Sequence, residues 1–131
     1  MLSESQDEYS SYILVKGAES VRNANKLERS FQSALIRELK KRFPGCIITK
    51  LDASHIQGIP DLLILWGKHW ATLECKRSKT ARRQPNQEHY VRMMDAMSFS
   101  RFIFPENKEE VLHELEQAFG VGGQSRLPLS E

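Results

Sequence analysis

The sequence predicts an α/β fold with elements in the order αβββαβα, and three features predict it. Leu27, Phe31, Ala34, Leu35, Leu39 and Phe43 recur at helical spacing, and the run from Asp61 to Trp66 is apolar on both alternating faces. Two further amphipathic stretches then bracket one more short apolar run. The chain has 131 residues, room for one domain with an ordinary core and none for a second catalytic domain. At 40% hydrophobic and 27% charged residues the composition is that of a folded globular protein and excludes a disordered one.

Residues 1–22 are rich in Ser and Glu and carry one short apolar patch, Tyr12 to Val15, so they read as a tail. That patch also suits an added edge strand or a dimerisation arm. The folded domain is expected over 23–119. Its first helix is expected from about residue 25 to 43, stopped by Pro44-Gly45. A short strand follows, Cys46 to Leu51, and then Asp61 to Trp66, whose apolar pattern is that of a strand covered on both sides. Trp70 to Lys76 is its hairpin partner. Pro85 marks the first turn of a second helix with the apolar stripe Val91, Met94 and Met97, and Arg101 to Phe104 reads as a fourth strand. Val111, Leu112, Leu115, Ala118 and Phe119 make a last helix closed by Gly120, and 120–131 is expected to be a flexible tail.

Lys and Arg number 19 against 17 acids, a net charge of only +2, so distribution matters more than the sum. Lys76, Arg77, Lys79, Arg82 and Arg83 fall within eight positions free of acids, which makes the positive field local. Cys46 and Cys75 lie at neither disulfide-framework nor zinc-ligand spacing. With no signal-like start and no membrane-length apolar run, a soluble cytoplasmic protein is expected.

Strand side chains alternate, so Glu74 and Lys76 share one face while Ala71, Leu73 and Cys75 share the other. If Gly67-Lys68 is a two-residue turn, with Gly first as a type II′ turn wants, Trp66 pairs with His69 and Asp61 faces Glu74. A three-residue loop, 67–69, would instead set Asp61 against Cys75. Two opposed carboxylates repel unless a cation or a shared proton intervenes. A divalent metal is the economical explanation, because carboxylates, a strand carbonyl such as that of Cys75, and waters are the hard oxygen ligands Mg²⁺ takes. Lys76, on the same face, would then orient a water or offset charge building on a phosphate. The plainer alternatives are a solvated Glu-x-Lys face and a turn-forming Asp61 after Pro60.

Glu28 leans toward the buried stripe of the first helix and either completes a metal shell or closes a capping box with Asn25. Gln87 places an amide on the inward stripe of the second helix, where it needs a partner: a metal-held water, a phosphate, Lys76, or nearby backbone. Arg77, Lys79, Arg82 and Arg83 fall on a loop beside these residues, where a phosphate backbone would lie, unless the loop is merely solvated. The four histidines lack ligand spacing, although His55, on the loop before Asp61, is placed to touch a substrate.

Taken together, Glu28, Gly58-Ile59-Pro60-Asp61, Glu74-Cys75-Lys76 and Gln87 within Gln84-Pro85-Asn86-Gln87 resemble the PD-(D/E)xK nuclease superfamily. Within it the chain is similar to stand-alone VRR-NUC proteins of phages and bacteria, near the archaeal-type Holliday-junction resolvases, over about residues 25 to 105. The resemblance implies a restriction-endonuclease-like αβββαβ core, a mixed central sheet flanked by helices, with a helix added at the C-terminus. It implies hydrolysis of DNA with Mg²⁺ or Mn²⁺, Asp61 and Glu74 as metal ligands, Glu28 as an auxiliary ligand, Lys76 at the nucleophile and Gln87 as the family's helix glutamine. It also implies a homodimer acting on branched DNA such as a Holliday junction, in the cytoplasm of a bacterium or phage-infected host. A flap or single-strand nuclease is the nearest alternative, and a non-catalytic nucleic-acid-binding module of the same fold a more distant one.

Overall fold

The computed structural model describes residues 2–121, with side chains from residue 19 onward. Its order is α1 (Leu2–Arg42), β1 (Ile47–Lys50), β2 (Leu62–Trp66), β3 (His69–Cys75), α2 (Pro85–Met97), β4 (Ser100–Ile103) and α3 (Lys108–Ala118), with one 3₁₀ turn, Pro105–Asn107, before α3. The expected α/β order is present, and the four strands form one mixed sheet in the order β1-β2-β3-β4. The first three strands are antiparallel neighbours, and β4 returns parallel to β3 after the α2 crossover.

Alternation gives the sheet two unlike faces. One carries Leu62, Ile64, Ala71, Leu73, Cys75 and Ile103, all fully buried against Leu35 and Leu39 of α1, Phe43 just beyond it, and Leu112 and Leu115 of α3. At one end of this core the rings of Phe43, Trp66, Phe119 and His69 stack or meet edge to face with centroids 5.2–6.1 Å apart. The other face holds Thr72, Ser100, Glu74 and Lys76 under α2, a polar layer in which the Thr72 hydroxyl donates to Ser100 at 2.7 Å. Helix α2 accordingly buries no residue fully.

Several expectations change. Helix α1 begins at Leu2 and not near residue 25, so Tyr12 to Val15 is helical and no edge strand. Gly17, whose cost in a helix is about 1 kcal/mol, does not interrupt it. Asn25 lies inside the helix, which removes the capping-box reading of Glu28. Leu27 leaves the apolar stripe and is 61% exposed. Met97 likewise stands 66% exposed, although α2 packs on β3 and β4. Strand β2 is covered on one side only toward its end: Leu65 and its cross-strand partner Ile47 are both exposed. Of the expected C-terminal tail, Gly120 closes α3 with φ +80°, and 122–131 lies outside the described residues. Among the described residues, no helix is long and apolar enough to cross a membrane.

Candidate functional site

The β2–β3 turn decides the site's register. Gly67 has φ +60° and no other residue of the turn has positive φ, which is the type II′ pattern. Trp66 therefore pairs with His69 and Leu62 with Leu73, and one step further the same register sets Asp61 opposite Glu74. Two hydrogen bonds lock that step: the Asp61 N–H donates to Glu74 Oε1 at 3.1 Å, and the Cys75 N–H donates to Asp61 Oδ2 at 3.0 Å. A strand residue sends its N–H and C=O the same way, so the Cys75 carbonyl is directed to the Asp61 side as well.

The loop before Asp61 is held by local chemistry. Asp52 caps it by accepting from the Ser54 N–H and hydroxyl, and Pro60 is fully buried. Gly58, at φ +92°, lies so close to the first turn of α2 that a Cβ there would stand 2.4 Å from Asn86 Cβ and 2.7 Å from its carbonyl carbon. This contact fixes the spacing between the Asp61 loop and the α2 start.

Helix α2 then contributes Gln87. Its Oε1 accepts from Lys76 Nζ at 2.8 Å and from the Gln84 N–H at the helix cap at 3.0 Å, while its Nε2 donates to Glu74 Oε2 at 2.9 Å. Lys76 Nζ also donates to the Arg82 carbonyl at 3.0 Å and lies 3.9 Å from Glu74 Oε2. Glu74 and Lys76 are only 3% and 7% exposed, so this is no solvated strand face. Of the partners expected for Gln87, both Lys76 and the backbone at the helix start are present.

The cluster's electrostatics are those of crowded acids. Burial first, and then the facing Asp61, push the Glu74 carboxyl up to about 8, against the lowering effect of Lys76. Burial also raises Asp61, against the Cys75 N–H, Lys76 and Lys50. Glu28 is raised by burial and then by Asp61, with Lys76 and Arg77 acting the other way. Helix α1 thus brings Glu28 to the same field. Among the described residues no group of three or more His, Cys, Asp or Glu side chains is placed to hold a metal ion. What stands here is a carboxylate pair with one strand carbonyl alongside, a donor set suited to a hard cation that keeps several waters. Compared with known proteins, the chain matches no family model, no curated protein and no solved structure.

The predicted cationic loop follows β3 and leaves Arg77, Lys79, Arg82 and Arg83 exposed. Arg77 is near enough to act on Glu28, whereas Arg83 lies over the Phe102 ring at 4.1 Å. His55 sits in the exposed loop, where its N–H donates to the Asp52 carbonyl, and no side-chain contact ties it to the carboxylates. Two neighbours escaped the sequence reading. Gln32 meets the Cys75 thiol, which burial raises, and Lys50 acts on Asp61. Gln32 follows Glu28 by four residues, so helical spacing alone could have found it; nothing local singles out Lys50.

Proposed function

We propose that this chain is a divalent-metal-dependent nuclease of the PD-(D/E)xK type, with a restriction-endonuclease-like core, that hydrolyses phosphodiester bonds in DNA. The observation that carries the reading is the buried pairing of Asp61 with Glu74, with Lys76 beside them and Gln87 bridging Glu74 to Lys76. A structural ion pair would leave Glu74 neutralised by Lys76; here Lys76 spends its bonds on Gln87 and Arg82, and Glu74 stays raised.

Asp61, Glu74 and the Cys75 carbonyl would hold the cation, with Glu28 acting from α1 as the auxiliary acid. A Mg²⁺ or Mn²⁺ ion there supplies Lewis-acid polarisation of a phosphate oxygen and a more acidic water. Lys76, held by Gln87 and the Arg82 carbonyl, presents a fixed positive charge to the phosphoryl oxygens as negative charge grows on them. Gln87 keeps that ammonium in place and holds one oxygen of Glu74. Arg77, Lys79 and Arg82 supply backbone contacts beside the site.

Branched DNA, such as a four-way junction cut by a homodimer, is the favoured substrate on the family resemblance. The test is cleavage of labelled four-way junction, flap, single-stranded and linear duplex DNA by wild type and Glu74→Ala with Mg²⁺ or Mn²⁺. Cleavage by wild type alone, stopped by chelation, is expected, with Ca²⁺ permitting binding but poor turnover. Binding by both proteins with no cleavage of any substrate would make the chain a binding module of the same fold.

A further inference from the structure

Helix α1 has a second face that the site does not use. Glu28, Leu35 and Leu39 point inward, whereas Arg22, Lys26, Arg29, Arg37 and Lys40 recur on the opposite side of the helix at intervals of four, three, eight and three, with Ser30 and Ser33 among them. All of these outward residues are exposed. None of the five cations has an acidic side chain within 4.0 Å among the described residues, and from residue 19 onward, where side chains are described, the acid on this face is Glu19. Lys26, Arg29, Ser30, Ser33 and Arg37 line an open groove of about 440 Å³.

We infer that the outer face of α1 is a second track for a DNA phosphate backbone, separate from the cationic loop beside the carboxylates. From Arg22 to Lys40 the rise is roughly 27 Å, at about 1.5 Å per residue, the axial length of about eight base pairs of duplex at about 3.4 Å each. Serine hydroxyls between the cations are ordinary phosphate donors. An anionic membrane fits less well, because a helix lying in a headgroup layer carries an apolar face next to its cations; here the apolar stripe is on the opposite side and spent on the core.

The taking of DNA as the partner rests on the nuclease reading above. The track deepens it, because Glu28 and the cations lie on opposite sides of one helix about 10–12 Å across. One straight backbone cannot run past the carboxylates and along this face together, whereas a bent or branched DNA presents two backbones to the two tracks.

The test is anisotropy of a labelled duplex of about 20 base pairs, in EDTA, over roughly 50–200 mM salt. The Lys26→Gln, Arg29→Gln, Arg37→Gln triple variant should bind at least about tenfold more weakly and lower the log–log salt slope by about 2.7, since each phosphate contact contributes about 0.9. The charge-keeping Lys26→Arg, Arg29→Lys, Arg37→Lys variant should bind like wild type. Wild-type affinity and slope in the neutralised variant, equal loss in the charge-keeping one, or no duplex binding by wild type overturns the track. So does a neutralised variant that loses binding only to phosphatidylserine–phosphatidylcholine vesicles. Hydrolysis of bis(4-nitrophenyl) phosphate with Mn²⁺ should be the same in wild type and both variants. Its absence in wild type counts against the catalytic reading alone, since the duplex measurement involves no turnover.

Discussion

Gln87 has three hydrogen bonds that tie a helix start, a lysine and a carboxylate into one unit. Its replacement by Leu keeps the bulk and removes all three. Lys76 would retain the Arg82 carbonyl but lose its shortest contact, and Glu74 Oε2 would lose the amide that holds it. Loss of such a supporting partner commonly costs about 10–100-fold in activity or metal affinity. On the proposed nuclease reading, the Gln87→Leu protein should therefore cleave about 10–100-fold more slowly while staying folded, with about 1 kcal/mol lost from the helix cap. Steady-state cleavage and a thermal melt measured on the same preparation check it; wild-type rates would mean that Gln87 serves only the cap. That a polar residue at this inward position needs a partner was legible from helical spacing. Its simultaneous use of Glu74 was not, because only the crossover of α2 over β3 brings the two together.

At the scale of elements, two glycines with similar backbones should respond differently to alanine. Gly45 has φ +85° with open space where a Cβ would go, and Gly58 has φ +92° with Asn86 atoms at 2.4–3.0 Å. Gly45→Ala should cost only the left-handed strain, about 1–2 kcal/mol. Gly58→Ala adds a clash with backbone that cannot turn aside, at about 1–3 kcal/mol more. It should also lower cleavage, because the displaced loop carries Pro60 and Asp61. Urea unfolding of the two variants gives the comparison, and equal losses would show that the loop has no fixed seat on α2. The hairpin register was readable because Gly67-Lys68 permits so few turns, and Asp61 opposite Glu74 follows from it. The N-terminal half of α1 was not, because its one apolar patch, Tyr12 to Val15, is contiguous and shows no helical period. Met97 misled because steps of three residues each turn about 60° round a helix of about 3.6 residues per turn, so it sits well round from Val91 and is exposed. The five cations on α1 were hidden by a near-neutral total, since acids elsewhere offset them.

For the whole molecule, the raised acids make stability depend on pH, and on the proposed metal site they make metal binding depend on it in the opposite sense. An unfolded Glu74 titrates near 4.5 and the folded one is pushed up to about 8, first by burial and then by Asp61. Between these values the folded chain holds a proton that the unfolded chain has released, so unfolding free energy falls as pH rises, by up to about 1.4 kcal/mol per pH unit. The stabilising protonation is fully present below about pH 4.5 and is lost as pH climbs through about 8; Asp61 and Glu28 are shifted in the same direction. The metal-free protein should therefore melt at lower temperature at pH 8 than at pH 5.5, and Glu74→Gln, which keeps the shape without the charge, should flatten that slope. On the proposed metal site a divalent cation would take the place of the proton, so Mn²⁺ should raise the melting temperature more at pH 8 than at pH 6, where protons compete for the same oxygens. At 100 times the dissociation constant the gain is about 2.7 kcal/mol, several degrees for a domain of this size. Thermal melts of wild type and Glu74→Gln at both pH values, with Mn²⁺ and with EDTA, measure both effects together. A Mn²⁺ shift that survives Glu74→Gln would place the ion elsewhere; a shift that vanishes with it, while the EDTA melts flatten, ties metal, proton and Glu74 to one site.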